Sequence, residues 1–106
     1  MTDEFVERFK NIFVVEPSHD ISPLSKHSNN LKVITVGNES VADLYDVIIK
    51  SLETFDPSTD ALIPMGRNTA NLITGVILSK LFPGREITIG IYNQGSYIFL
   101  EGNGNV

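Results

Sequence analysis

The chain has 106 residues and contains neither cysteine nor tryptophan. Without thiols it can form no disulfide, no thiolate metal site and no cysteine nucleophile, and its redox compartment is unconstrained. Long apolar runs are missing too: none approaches the roughly 18 residues that a membrane-crossing helix needs. The opening Met1-Thr2-Asp3-Glu4 lacks the basic start of a secretory leader. The expectation is a cytoplasmic protein with no membrane partner. Positive charge is scarce, with 8 Lys plus Arg against 13 Asp plus Glu and a net charge of −5. Polyanion binders ordinarily carry a basic footprint, because phosphate contacts supply most of their non-specific affinity.

Signatures of chemistry are equally sparse. His19 and His27 flank a loop-like stretch without the spacing of a metal motif, so no metal and no cofactor is expected. There is no P-loop, and Gly102-Asn103-Gly104 is not followed by the helix that a dinucleotide fingerprint requires. Ser18-His19-Asp20 unites three suggestive residue types, but triad members converge from separate parts of a fold rather than from adjacent positions. The chain reads as a non-enzyme.

What is present is a 42% hydrophobic composition, enough for one domain with its own core. Phe5, Phe9, Ile12 and Phe13 fall at i, i+4, i+7 and i+8, which predicts an amphipathic helix over residues 2–13. Residues 16–30, with Pro17, Pro23, several serines and both histidines, read as a linker or irregular surface segment. The run Leu31-Lys32-Val33-Ile34-Thr35-Val36 predicts a strand closed by Gly37. A helix follows over residues 40–55, carried by Val41, Leu44, Tyr45, Ile48, Ile49, Leu52 and Phe55 and stopped before Pro57. Residues 61–65 predict a second strand, and Leu72, Ile73, Val76, Ile77 and Leu81 a second helix ended by Pro83-Gly84. The alternating segment 86–92, the turn Asn93-Gln94-Gly95 and segment 96–100 make a hairpin. The order from Leu31 is β-α-β-α-β-β, with its first two strands parallel: a two-layer α/β sandwich. The expected organisation is an N-terminal helix and linker (1–30), the α/β domain (31–101) and a tail (102–106).

The most informative stretch is Ile63-Pro64-Met65-Gly66-Arg67-Asn68-Thr69-Ala70-Asn71, where a strand passes through Gly-Arg into a helix. Free backbone N–H groups and the helix dipole already favour an anion there, and a cation is placed beside them. Gly66 suits the backbone geometry of so tight a turn. Arg67 reads either as a phosphate contact or as a surface ion-pair partner. Tyr92 and Tyr97 read either as a base-stacking platform or as a cross-strand pair.

From Leu31 to Leu100 the chain resembles the Alba-like nucleic-acid-binding proteins, and more weakly the sporulation stage V protein S family. The resemblance rests on the opening strand to Gly37 and on Gly66-Arg67 leading into Leu72-Ile73. It implies a β-α-β-α-β-β fold, here with an extra N-terminal helix, a dimer, and binding of DNA or RNA without strong sequence preference. The loop that carries paired lysines in that family reads Gly37-Asn38-Glu39-Ser40, and the basic hairpin loop is shortened to the uncharged Asn93-Gln94-Gly95. The implied activity is weak, RNA- or single-strand-favouring binding through Arg67 and Gly66, with Asn68, Asn71, Asn38 and Asn93 as neutral donors. The implied partners are RNA or DNA and a second chain, identical or related. The alternative is an acidic interaction and dimerisation module that keeps the fold without nucleic-acid binding.

Overall fold

The computed structural model describes residues 8–100. A strand, β1 (Asn11–Val14), stands where the apolar spacing predicts a helix. Ile12, Phe13, Val14 and Val15 are all buried, with Ile12 and Val14 packed in one cluster and Phe13 and Val15 in another. A helix would turn part of that run toward solvent; a strand inside a parallel sheet buries both of its faces. The earlier part of the expected helix, residues 2–7, lies outside the described residues, as does the expected tail.

β1 is the second strand of a five-stranded sheet ordered β2-β1-β3-β4-β5. It pairs in parallel with β2 (Leu31–Val33) on one side and with β3 (Asp60–Ile63) on the other. β4 (Thr88–Asn93) runs parallel to β3, and β5 (Ser96–Leu100) returns antiparallel to β4. The α-helices among the described residues are α1 (Val41–Ser51) and α2 (Asn68–Leu81). A five-stranded mixed sheet with two helices is an α/β domain, compatible with the α/β sandwich read from the sequence. Across the expected division at residue 30, β1 pairs with β2 and β3, both of which lie beyond it, so residues 11–14 share one sheet with the α/β domain.

Both helices pack on one face, with Leu44, Ile48, Leu52, Ala70, Ile77 and Leu78 against Phe13, Val15 and Leu62. α1 begins at Ser40, whose Oγ accepts the Asp43 N–H at 3.3 Å. The opposite face carries Ile12, Val14, Ala61 and Ile63, and the segment between β1 and β2 covers it. That segment, expected as a linker, includes a 3₁₀ turn (Ser22–Lys26) whose Leu24 is 0% exposed. The buried Ser28 hydroxyl anchors it by donating to the Lys10 carbonyl at 3.1 Å and accepting the Asn30 N–H at 3.0 Å. The right-handed crossover rule accounts for both layers. The step from β1 to β2 runs one way across the sheet and the steps β2 to β3 and β3 to β4 run the other, so the connections lie on opposite faces.

Leu24 separates a structural layer from a linker experimentally. Leu24→Ala is expected to lower unfolding stability by about 2–5 kcal/mol in urea titrations. A change near zero would return residues 16–30 to the status of a surface segment.

Candidate functional site at the Gly66-Arg67 turn

In open α/β sheets the chain leaves adjacent strands toward opposite faces at one point, and a crevice forms beyond their carboxyl ends. Here that point lies between β1 and β3. Glu16 follows β1 and Arg67 follows β3, so the reversal of strand order brings these two residues together. Their union is dense. Glu16 Oε1 accepts the Arg67 backbone N–H at 2.8 Å and Nε at 3.0 Å. Glu16 Oε2 accepts Nε at 2.9 Å, Nη2 at 2.6 Å and the Thr35 hydroxyl at 2.9 Å. Thr35 is itself buried just beyond β2 and also donates to the Val15 carbonyl at 2.9 Å.

Glu39 closes the far side of the guanidinium. Arg67 Nη1 donates to the Glu39 carbonyl at 2.9 Å and Nη2 to its Oε1 at 3.3 Å. The Glu39 carboxylate meanwhile accepts the N–H groups of Val36 and Gly37 at 3.0 and 3.1 Å, folding the β2–α1 loop around itself. The Glu16 side chain is 7% exposed and that of Arg67 34%.

The electrostatics follow from these contacts. Hydrogen bonding from the Arg67 side chain, aided by its backbone N–H and by Thr35, overrides the burial penalty and lowers the Glu16 pKa from 4.5 to about 2. The Arg67 pKa is raised, chiefly by the same Glu16 bonds. The Glu39 carboxyl is held below its usual range, first by the Val36 N–H.

An anion does sit at the Gly66-Arg67 turn, and it is the chain's own carboxylate. Two carboxylates surround one guanidinium, so the cluster carries a net negative charge rather than the positive one a phosphate contact supplies. Gly66 is required twice over. Its φ is +87°, and an added Cβ would lie 2.4 Å from Glu16 Cβ and 2.6 Å from the Glu16 carbonyl oxygen. The backbone of the β1 exit crosses directly over it.

The other sequence-predicted residues divide. Asn71 braces the turn, its Nδ2 donating to the Met65 carbonyl at 3.1 Å and the Arg67 carbonyl at 2.9 Å. Asn38 is exposed on the loop beside Glu39, and Asn68 is the exposed first residue of α2. Asn93 is exposed at the end of β4, paired with Ser96 across the hairpin turn and apart from the cluster. Tyr92 and Tyr97 form a cross-strand pair with ring centroids 5.2 Å apart, and His19 stacks on Tyr92 at 4.7 Å. Glu16, Thr35 and Glu39 escaped the sequence reading. The available signal was an acid directly after an apolar β-branched run, the position of a strand's carboxyl end.

Among the described residues no three or more His, Cys, Asp or Glu side chains gather as a metal site, and no helix is long and apolar enough to cross a membrane. Comparison with protein-family models, curated sequences and solved structures found no match to this chain.

Because the folded pKa of Glu16 lies below its unfolded value, its contribution to stability is complete above about pH 4.5 and is lost as pH falls toward about 2. Urea midpoints should drop across that window. Glu16→Gln should remove about one proton's worth of the slope, and an unchanged slope would show that Glu16 is not the group being protonated. Gly66→Ala should destabilise by about 1–3 kcal/mol or more through strain and clash; a neutral effect would contradict the close crossing described above.

Proposed function

We propose that the domain is an interaction module that self-associates through β5, and that the Gly66-Arg67 turn is an internal fastening. The observation that carries this reading is the character of the β5 edge. β5 is Ser96-Tyr97-Ile98-Phe99-Leu100, five residues without charge or proline, and its outer side is unpaired among the described residues. Edge strands are ordinarily blunted by lysine, proline, bulges or shortness, because unpaired backbone groups invite another strand. The opposite edge follows that rule, since β2 has only three residues with Lys32 at its centre.

The side chains support the same surface. Ile91 pairs with Ile98, and Ile89 with Leu100, across β4 and β5 on the helix side of the sheet. The helices do not reach this strip, and Ile91, Ile98 and Leu100 remain 44%, 46% and 54% exposed. A second copy is the occupant that fits. Antiparallel pairing about Ile98 sets Ile98 against Ile98, Tyr97 against Phe99 and Ser96 against Leu100 of the other copy. The two isoleucine–leucine strips then merge on one face, the aromatic pairs on the other, and the arrangement closes as a two-fold dimer.

An Alba-type nucleic-acid binder would need Arg67 available to phosphate. The contacts with Glu16 and Glu39 take up that guanidinium, and the net charge of −5 supplies no compensating attraction.

Sedimentation or light scattering at micromolar concentration should give twice the 11.7 kDa chain mass. Ile98→Lys, which places a charge on the edge, should return a folded monomer. A monomer at every concentration, or a dimer indifferent to Ile98→Lys, would overturn the reading. Titration against duplex DNA, single strands and RNA at several salt concentrations should show no binding. Binding with a negative salt slope that Arg67→Ala abolishes would restore the nucleic-acid assignment.

A further inference from the structure

A groove of about 370 Å³ runs between α2 and strands β3 and β4, floored by Leu62, Ile87 and Ile89 and walled by Leu78 and Phe82. Its volume falls in the range of small-ligand sites, and its lining is mainly apolar with few polar groups. Three features define the character of this groove.

The first is Gly75, in the interior of a fourteen-residue helix and open to the groove. Glycine there is destabilising relative to alanine, and no steric demand requires it, since an added Cβ would meet nothing within 4 Å. A side chain at this position would narrow the groove, and glycine keeps the helix backbone open to close approach. The second is Asn71, one turn earlier on the same face. Its Nδ2 is committed to the Met65 and Arg67 carbonyls, which fixes the amide's orientation. That leaves Oδ1 shielded from solvent without a hydrogen-bond partner. The third is Arg85 at the rim, which carries the only formal charge among the lining residues. It is exposed and donates from Nη2 to the Ser58 hydroxyl at 2.8 Å.

We propose that the groove binds a small amphipathic anion: a flat or aliphatic body resting over Gly75 and one acidic group for Arg85. The apolar walls select the body. Arg85, the one charged residue of the lining, selects the sign of the head group, because an amine of the same shape would meet it as a like charge. The site is separate from the β5 edge and does not depend on self-association.

The probe is 8-anilinonaphthalene-1-sulfonate, which combines an aromatic body with one anionic group. Its fluorescence should rise on saturable binding to the native protein. Gly75→Leu, which fills the groove with a strong helix former, should weaken binding about tenfold or more while the unfolding midpoint is kept or raised. Arg85→Gln should weaken it several-fold, and decanoate should displace the probe where decylamine does not. Ile98→Lys should leave binding unchanged, which separates the groove from the exposed strip on β4 and β5. Amide shifts at Gly75 and Arg85 should follow the probe titration. No saturable binding, or wild-type affinity in Gly75→Leu, would overturn the proposal. Loss of binding in Ile98→Lys alone would move the site to the strip, and equal displacement by the amine would overturn the anion preference.

Discussion

The carboxylate of Glu16 joins more of this fold than any other group. It lies where β1 ends, and its five hydrogen bonds reach Arg67, which precedes α2, and Thr35, just beyond β2. Through Arg67 the connection continues to Glu39, which shapes the loop into α1. The carboxyl ends of three parallel strands and the starts of both helices are thus tied at one point. A buried carboxylate is tolerable only with such a full set of donors, since desolvation would otherwise neutralise it. The dependence is mutual. Gly66 must lack a side chain for the β1 exit to pass, and that crossing is what brings the carboxylate to the Arg67 backbone N–H.

This cluster changes the meaning of a phosphate-like motif. A glycine-arginine turn at a helix start favours an anion whatever the anion's origin. A phosphate would come from solution, whereas Glu16 comes from the neighbouring strand at high effective concentration and needs no partner. The spatial rule for open α/β sheets points to the same crevice. In this chain the crevice is closed by its own residues, and the surfaces left open lie elsewhere.

The parts of the fold that were legible in the sequence share one property: their local pattern admits a single interpretation. α1 combines a Ser40 cap, a long 3.6-residue periodicity and a proline stop, and the hairpin combines alternation with an Asn-Gln-Gly turn. β1 lacked such uniqueness. Phe9, Ile12 and Phe13 match helical spacing, but Ile12 to Val15 is also a continuous apolar run, and periodicity alone does not separate a buried strand from a helix segment. Missing β1 then concealed the ion pair. Glu16 and Arg67 stand fifty-one positions apart, and only the placement of β1 beside β3 makes them neighbours. The loop composition of residues 16–30 misled for a related reason. Prolines and serines marked irregular backbone correctly, but Leu24 within it is core, because irregular chain can cover a sheet face when its polar groups are satisfied locally.

The groove and the strip on β4 and β5 have a common origin in an unequal supply of cover. Five strands present a helix-side face, and two helices of eleven and fourteen residues are available for it. The core beneath them is built from Phe13, Val15 and Leu62 on β1, its continuation and β3, so α1 and α2 are spent over that half of the sheet. α2 reaches only to the start of β4, where Gly75 withdraws the helix surface and the groove opens. Beyond it Ile91, Ile98 and Leu100 are covered by no helix among the described residues. A second copy pairing at β5 satisfies that edge and sets an identical strip alongside the first, so that Ile98 packs laterally against Ile98 across the two-fold axis. The groove and the β5 edge are therefore adjoining consequences of one geometric shortage, the first on the scale of a small molecule and the second on the scale of another chain.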